Sequence, residues 1–146
     1  MYLVDTSVLS EARRGSAEAR TWLRSVDPET IYLSVVTLGE IMRGIALGQR
    51  TDPTRAASLT LWLERLRREH AARILPIDDR VALRWGRLAA ERPRSMADGL
   101  IAATATVHDK IVVTRNAADF AGMGIAVVNP WDGSTTAHKG HPSRKR

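Results

Sequence analysis

Four carboxylates, Asp5, Glu40, Asp98 and Asp119, fall where one shared chemistry is open to them. Asp5 ends the apolar run Tyr2-Leu-Val, and Asp119 lies five residues beyond Ile111-Val-Val-Thr114. Glu40 sits in the first turns of the helix expected after Ile31-Tyr-Leu-Ser34, and Asp98 in the first turn of the helix expected before Ile111. Ligands of open parallel sheets bind beyond the carboxyl ends of the strands, so this topology predicts all four acids at one edge. Two carboxylates about 4 Å apart repel by roughly 4 kcal/mol at an effective dielectric near 20. Four such groups either share protons, as coupled pairs do, or hold a divalent cation. An all-oxygen donor set suits a hard ion, Mg²⁺ or Mn²⁺. The chain has no Cys, and His138 and His141 fall near its end, which disfavours a zinc centre built on His or thiolate ligands. Carboxylates holding one or two Mg²⁺ are a recurrent device for hydrolysing phosphodiesters.

Each acid also has a purely local reading. Thr37-x-x-Glu40, Ser95-x-x-Asp98 and Asn116-x-x-Asp119 match the capping box or its acidic relative, and Asp5 can cap the helix that follows it. Capping accounts for each acid singly; it does not account for all four meeting at one edge.

The elements that must position them alternate. Tyr2–Val4 reads as a strand, with Thr6-Ser7 capping a helix over Val8–Arg13 that Gly15 stops. Helical stretches follow over Ala17–Val26, over Val35–Leu47 and from Asp52-Pro53 through Glu69, with the strand Ile31–Ser34 between the first two. Ile74–Ile77 reads as a third strand, and Asp78 caps a helix over Asp79–Glu91. After the loop Arg92-Pro-Arg94 come a helix over Met96–His108 and strands at Ile111–Thr114 and Ile125–Val128. Alternating strands and helices predict an α/β fold: one domain with a central, mostly parallel sheet flanked by helices. Trp22, Trp62 and Trp85 lie within helical periods and are expected to be buried; all four Trp, with Trp131, are also able to stack on bases.

Composition narrows the setting. A chain of 146 residues with 44% hydrophobic residues builds its core without disulfides. The run Gly99–Val107 is far below the ~20 residues of a membrane span, and the N-terminus lacks a signal-peptide pattern, so a cytoplasmic protein is expected. Lys and Arg number 22 against 16 acids, a formal charge of +6. Four of those cations lie after Asp132 in a segment with no acid and little apolar content, so residues 133–146 are expected to be a basic, disordered tail and residues 1–132 the folded domain. The domain then carries only +2. Setting the four acids aside leaves 12 anions against 18 cations, a basic surface around an acidic centre.

Four blocks carry a family resemblance: Met1-Tyr-Leu-Val-Asp5-Thr-Ser-Val-Leu, Ser34-Val-Val-Thr-Leu-Gly-Glu40-Ile-Met-Arg-Gly44, Ala97-Asp98-Gly-Leu-Ile-Ala-Ala-Thr104 and Thr114-Arg-Asn-Ala-Ala-Asp119-Phe. In order and spacing they resemble PIN-domain ribonucleases, and more closely the VapC and FitB-type toxins of bacterial type II toxin–antitoxin modules. The likeness runs from Met1 to about Trp131. It implies a Mg²⁺- or Mn²⁺-dependent endoribonuclease toxin, held inactive by a cognate antitoxin and commonly a homodimer. It implies Asp5, Glu40, Asp98 and Asp119 as the catalytic quartet, with Asp5 and Asp98 the most direct metal ligands. Thr6, Thr114 and Asn116 match supporting polar positions, with an ordinary cap or turn role as the alternative. Arg43, one turn beyond Glu40, is placed either to touch RNA phosphate or to pair with Glu40. The alternative function is a PIN-fold nuclease that processes RNA or cuts DNA flaps outside such a module. A PIN-like protein serving mainly as the binding half of a DNA-bound repressor is disfavoured because all four acids are present. A phospho-receiver needs adjacent acids after its first strand, and a phosphatase an Asp-x-Asp pair; Asp5-Thr6-Ser7 provides neither.

Overall fold

Two hydrophobic layers sandwich the sheet, and single strands feed both of them. The computed structural model describes residues 1–136. Strands β1 (Tyr2–Val4), β2 (Ile31–Ser34), β3 (Ile74–Leu75), β4 (Ile111–Val113), β5 (Val127–Val128) and β6 (Thr135–Thr136) form one sheet in the order β3-β2-β1-β4-β5-β6. Every pairing is parallel except β5 with β6. Side chains alternate across a strand. Accordingly Val4 and Val113 point into one core with Val8, Leu33, Ile45 and Leu63, while Leu3 and Val112 point into the other with Val81, Leu88, Ile101 and Phe120.

Helices α1 (Thr6–Arg13), α2 (Ala17–Ser25), α3 (Val35–Gly48) and α4 (Pro53–Glu69) supply buried side chains to the first layer, and α5 (Asp79–Glu91) and α6 (Met96–His108) to the second. The small residues of α6 let it lie close: Ala102, Ala103, Thr104 and Ala105 are all buried. No helix among the described residues is long and apolar enough to cross a membrane.

The predicted α/β architecture is present, and its departures from expectation have local causes. Asp5, rather than Thr6-Ser7, is the N-cap of α1 and accepts from the Thr6 amide, so the helix starts two residues early. Ser34 caps α3 through the Val36 amide, which leaves Thr37 inside the helix and fully buried; the Thr37-x-x-Glu40 capping box does not form. Asn116 makes no side-chain cap bond either. Ser95 does cap α6, accepting from the Asp98 amide at 3.4 Å. Pro76 has no N–H to lend a ladder, and β3 stops at Leu75. Trp22, Trp62 and Trp85 are half-buried at the margins of the two layers instead of within them. At the C-terminus, residues 135–136, expected in the tail, instead pair antiparallel with β5; the rest of the expected tail, 137–146, lies outside the described residues.

Candidate functional site

β1 is the point where the strand order turns back on itself, with β2 on one side and β4 on the other. Loops leaving the carboxyl ends of β1 and β4 diverge to opposite layers and open a crevice between them. Asp5 is the first residue past β1 and stands at this crevice, its amide donating to the Val113 carbonyl at 2.9 Å. Its side chain is 7% exposed.

That carboxylate is held by three donors. The Thr6 amide reaches Oδ1 at 2.8 Å, while Ser7 Oγ and Thr114 Oγ1 reach Oδ2 at 3.1 and 2.8 Å. Each hydroxyl has one proton to give, and both are aimed by the β4 loop: the Arg115 amide donates to Ser7 Oγ and the Asn116 amide to Thr114 Oγ1. With one lone pair of each hydroxyl taken by an amide, its proton is directed at Asp5. Burial nevertheless pushes the Asp5 carboxyl above its ordinary value; the hydroxyls and the amide pull it back, and the charge of Asp119 pushes it further.

Glu40 reaches the crevice from α3. Thr6 Oγ1 donates to Glu40 Oε1 at 2.9 Å and lies 3.1 Å from the buried Thr37 hydroxyl. Desolvation raises the Glu40 carboxyl first, the Thr6 hydroxyl opposes this, and Asp5 adds repulsion. Asp98 enters from the first turn of α6. Its carboxyl is pushed up to about 6, by desolvation and then by the charges of Asp5, Asp119 and Glu40. Asp119 lies exposed on the 3-10 turn Ala117–Phe120. The four acids thus sense one another across one space. Among the described residues no three of His, Asp or Glu are gathered into a set that could hold a metal ion as they stand. The donors are hard oxygens carrying excess negative charge, the chemistry that suits Mg²⁺ or Mn²⁺, but they ring the crevice without closing on one point.

The supporting residues divide. Thr6 and Thr114 contact the acids through their hydroxyls, whereas Asn116 engages through its backbone amide. Arg43 is exposed on α3 and makes no ion pair with Glu40 among the described residues. Three contributors were not singled out from the sequence. Ser7 and Thr37 bond directly to Asp5 and Thr6, and Asn129, itself buried, donates from Nδ2 to the Arg115 carbonyl at 3.2 Å, holding the β4 loop. Ser7 had a sequence signal in its place two residues after Asp5; Asn129 had none beyond its Asn-Pro turn.

The PIN domain family model matches residues 2–124, most of the chain and all four acids. The chain belongs to the PIN-domain family. It is 35% identical to Toxin FitB of Neisseria gonorrhoeae, over 90% of this chain and 99% of that protein. It is 32% identical to VapC ribonuclease Y4jK of Sinorhizobium fredii, with the same coverage of each. Among solved structures, a toxin–antitoxin complex from Klebsiella pneumoniae superposes with a TM-score of 0.68 at 30% identity, over 89% of this chain and 98% of that chain.

Proposed function

We propose that this PIN domain is the toxin of a type II toxin–antitoxin module, an endoribonuclease that hydrolyses RNA phosphodiester bonds with Mg²⁺ or Mn²⁺ and is inhibited by a cognate antitoxin. The single observation that supports the nuclease reading is the setting of the acids at the switch point of a parallel sheet, with Asp5 and Glu40 both held by Thr6 and Asp98 and Asp119 lining one trough. The near relatives named as a toxin and as a ribonuclease, and the toxin–antitoxin complex, support the substrate and the partner.

Asp5 and Asp98 are the residues assigned to hold the cation most directly, with Glu40 and Asp119 completing the negative ring. A divalent ion bound there supplies positive charge to the phosphate as negative charge develops on it, and acidifies water. The protein's own part is preorganisation. Ser7, Thr114 and the Thr6 amide fix the Asp5 oxygens before any ligand arrives, and Thr6 fixes Glu40. An antitoxin that carries Arg or Lys into this ring would neutralise the same charge.

The direct test is purified protein, freed of antitoxin, on a mixed RNA substrate. Cleavage is expected with Mg²⁺ or Mn²⁺, and its loss on adding EDTA or in Asp5→Asn. Cleavage that persists in EDTA would overturn the metal assignment, and an inert wild-type protein on RNA but active on DNA flaps would overturn the substrate.

A further inference from the structure

The loop between α5 and α6 carries Arg92 and Arg94 to one wall of a trough of about 430 Å³ whose other wall includes Asp98 and Asp119. Neither arginine is free to swing away. Arg92 Nη2 donates to the Ala121 carbonyl, at the end of the turn that bears Asp119. Arg94 Nε donates to the Leu88 carbonyl at 3.1 Å and its Nη2 meets Glu91 at 3.3 Å, so its side chain is 7% exposed. Its third nitrogen, Nη1, is buried with no hydrogen-bond partner among the described residues. Arg94 is thus walled in and paired with Glu91, a brace for the loop, whereas the Arg92 side chain is exposed and has no ion-pair partner among the described residues.

We propose that this trough is a subsite for a backbone phosphate of the RNA, the one flanking the phosphate that is cut, with Arg92 as its ligand and Arg94 holding the loop that presents it. The proposal rests on the nuclease reading of the acidic crevice and extends it. An RNA strand whose scissile phosphate lies among four carboxylates needs cations for the neighbouring phosphates, and Arg92 shares a cavity with two of the acids. A guanidinium fork matches a phosphate's paired oxygens. The lining also favours phosphate over a protein segment. Apart from Pro93 and Ala118 the trough is polar, whereas the cavity on the Glu40 side has Ile41, Leu59 and Trp62 in its walls and offers apolar anchors to a peptide.

The experiment is steady-state kinetics on a short oligoribonucleotide cut at one site, with each neighbouring phosphate replaced in turn by an uncharged methylphosphonate. For the wild type, one such replacement is expected to raise KM about tenfold with kcat little changed. Arg92→Gln is expected to raise KM similarly on the unmodified RNA, and to lose little more on the modified one, because the two changes remove the same contact. Arg92→Lys keeps the charge without the fork and is expected to fall between. Additive losses in the doubly altered reaction, or losses confined to kcat, would overturn the subsite and leave Arg92 as a brace of the Asp119 turn. Unchanged RNA kinetics in both variants with weakened antitoxin affinity would overturn it in favour of a protein-binding surface. A wild-type protein that cuts no RNA at all would strike the nuclease reading itself, a different failure.

Discussion

Asp5 and Asp98 face the same crevice in opposite conditions. Asp5 is buried and accepts three hydrogen bonds from Thr6, Ser7 and Thr114. Asp98 is half-buried and no side-chain or amide donor lowers its carboxyl; only desolvation and three like charges act on it. The first is fixed by the junction of β1 and β4, at the centre of the sheet. The second rides on the amino-terminal turn of α6, which a loop joins to α5 and not to a strand. One half of the ring is therefore set by the fold, and the other is left under electrostatic strain that a bound cation would relieve. The proposed metal-dependent cleavage gives each a part: a fixed ligand to define the position, and a repelled one to supply affinity.

The comparison breaks most severely if Asp5 loses its restraint. Thr114→Val is near-isosteric but removes the 2.8 Å donor to Asp5 and the acceptor for the Asn116 amide. The Asp5 carboxyl then rises further, since that hydroxyl is the largest of the influences pulling it down. Cleavage is expected to fall about 10–100-fold, the usual loss when a partner of a metal ligand is removed. Thr114→Ser, which keeps the hydroxyl, is expected to recover most of it. Equal losses in Val and Ser variants, measured as kcat/KM, would show that packing at this buried position matters and the hydroxyl does not.

Much of this division was legible in advance, and the part that was not has a common cause. Strands and helices showed in the apolar periods because each strand feeds a core, and strand-end topology alone directed attention to Asp5, Glu40, Asp98 and Asp119. Capping was misread at Thr6-Ser7 and Thr37, because the same residue types that cap helices also serve as donors to a carboxylate, and sequence spacing does not distinguish the two. Ser7 and Asn129 act across 108 and 14 residues of chain, on Arg115. Such pairings depend on strand register, which a short apolar run does not specify. The β6 strand lies in a segment whose composition argues against order; its two Thr residues pair with β5 through backbone groups that composition does not report.

A smaller effect separates the two aspartates by pH. Asp98 titrates near 6 in the folded protein against 3.8 unfolded, and Asp5 and Glu40 are shifted upward too. Between about pH 4 and 6 the folded state binds protons that the unfolded state has released, so stability falls as pH rises through this window. Asp78 and Asp132 are shifted downward, and their contribution is lost only below about pH 4. Without divalent ions, thermal unfolding is expected at a higher temperature at pH 5 than at pH 7, and Asp98→Asn is expected to raise the pH 7 midpoint by ~2–4 °C. Cleavage is expected to run the other way, weakening below pH 6 as protons compete with the cation. A midpoint in EDTA that climbs from pH 5 to pH 7 would mean that the repulsion is not felt.

The least effect is expected at Asn116, and its smallness is informative. Asn116 matches a supporting polar position of the family, yet the contact it makes with the site is its backbone amide donating to Thr114 Oγ1 at 3.0 Å. Its side chain is exposed and does not cap the Ala117–Phe120 turn. Replacing it with Ala leaves that amide, and so the direction of the Thr114 proton, unchanged. Asn116→Ala should therefore keep kcat/KM within about threefold, a change under 1 kcal/mol in transition-state stabilisation. A loss approaching that of Thr114→Val would mean that the carboxamide itself meets substrate or cation, and the free half of the ring would then extend from Asp98 and Asp119 into the loop that follows β4.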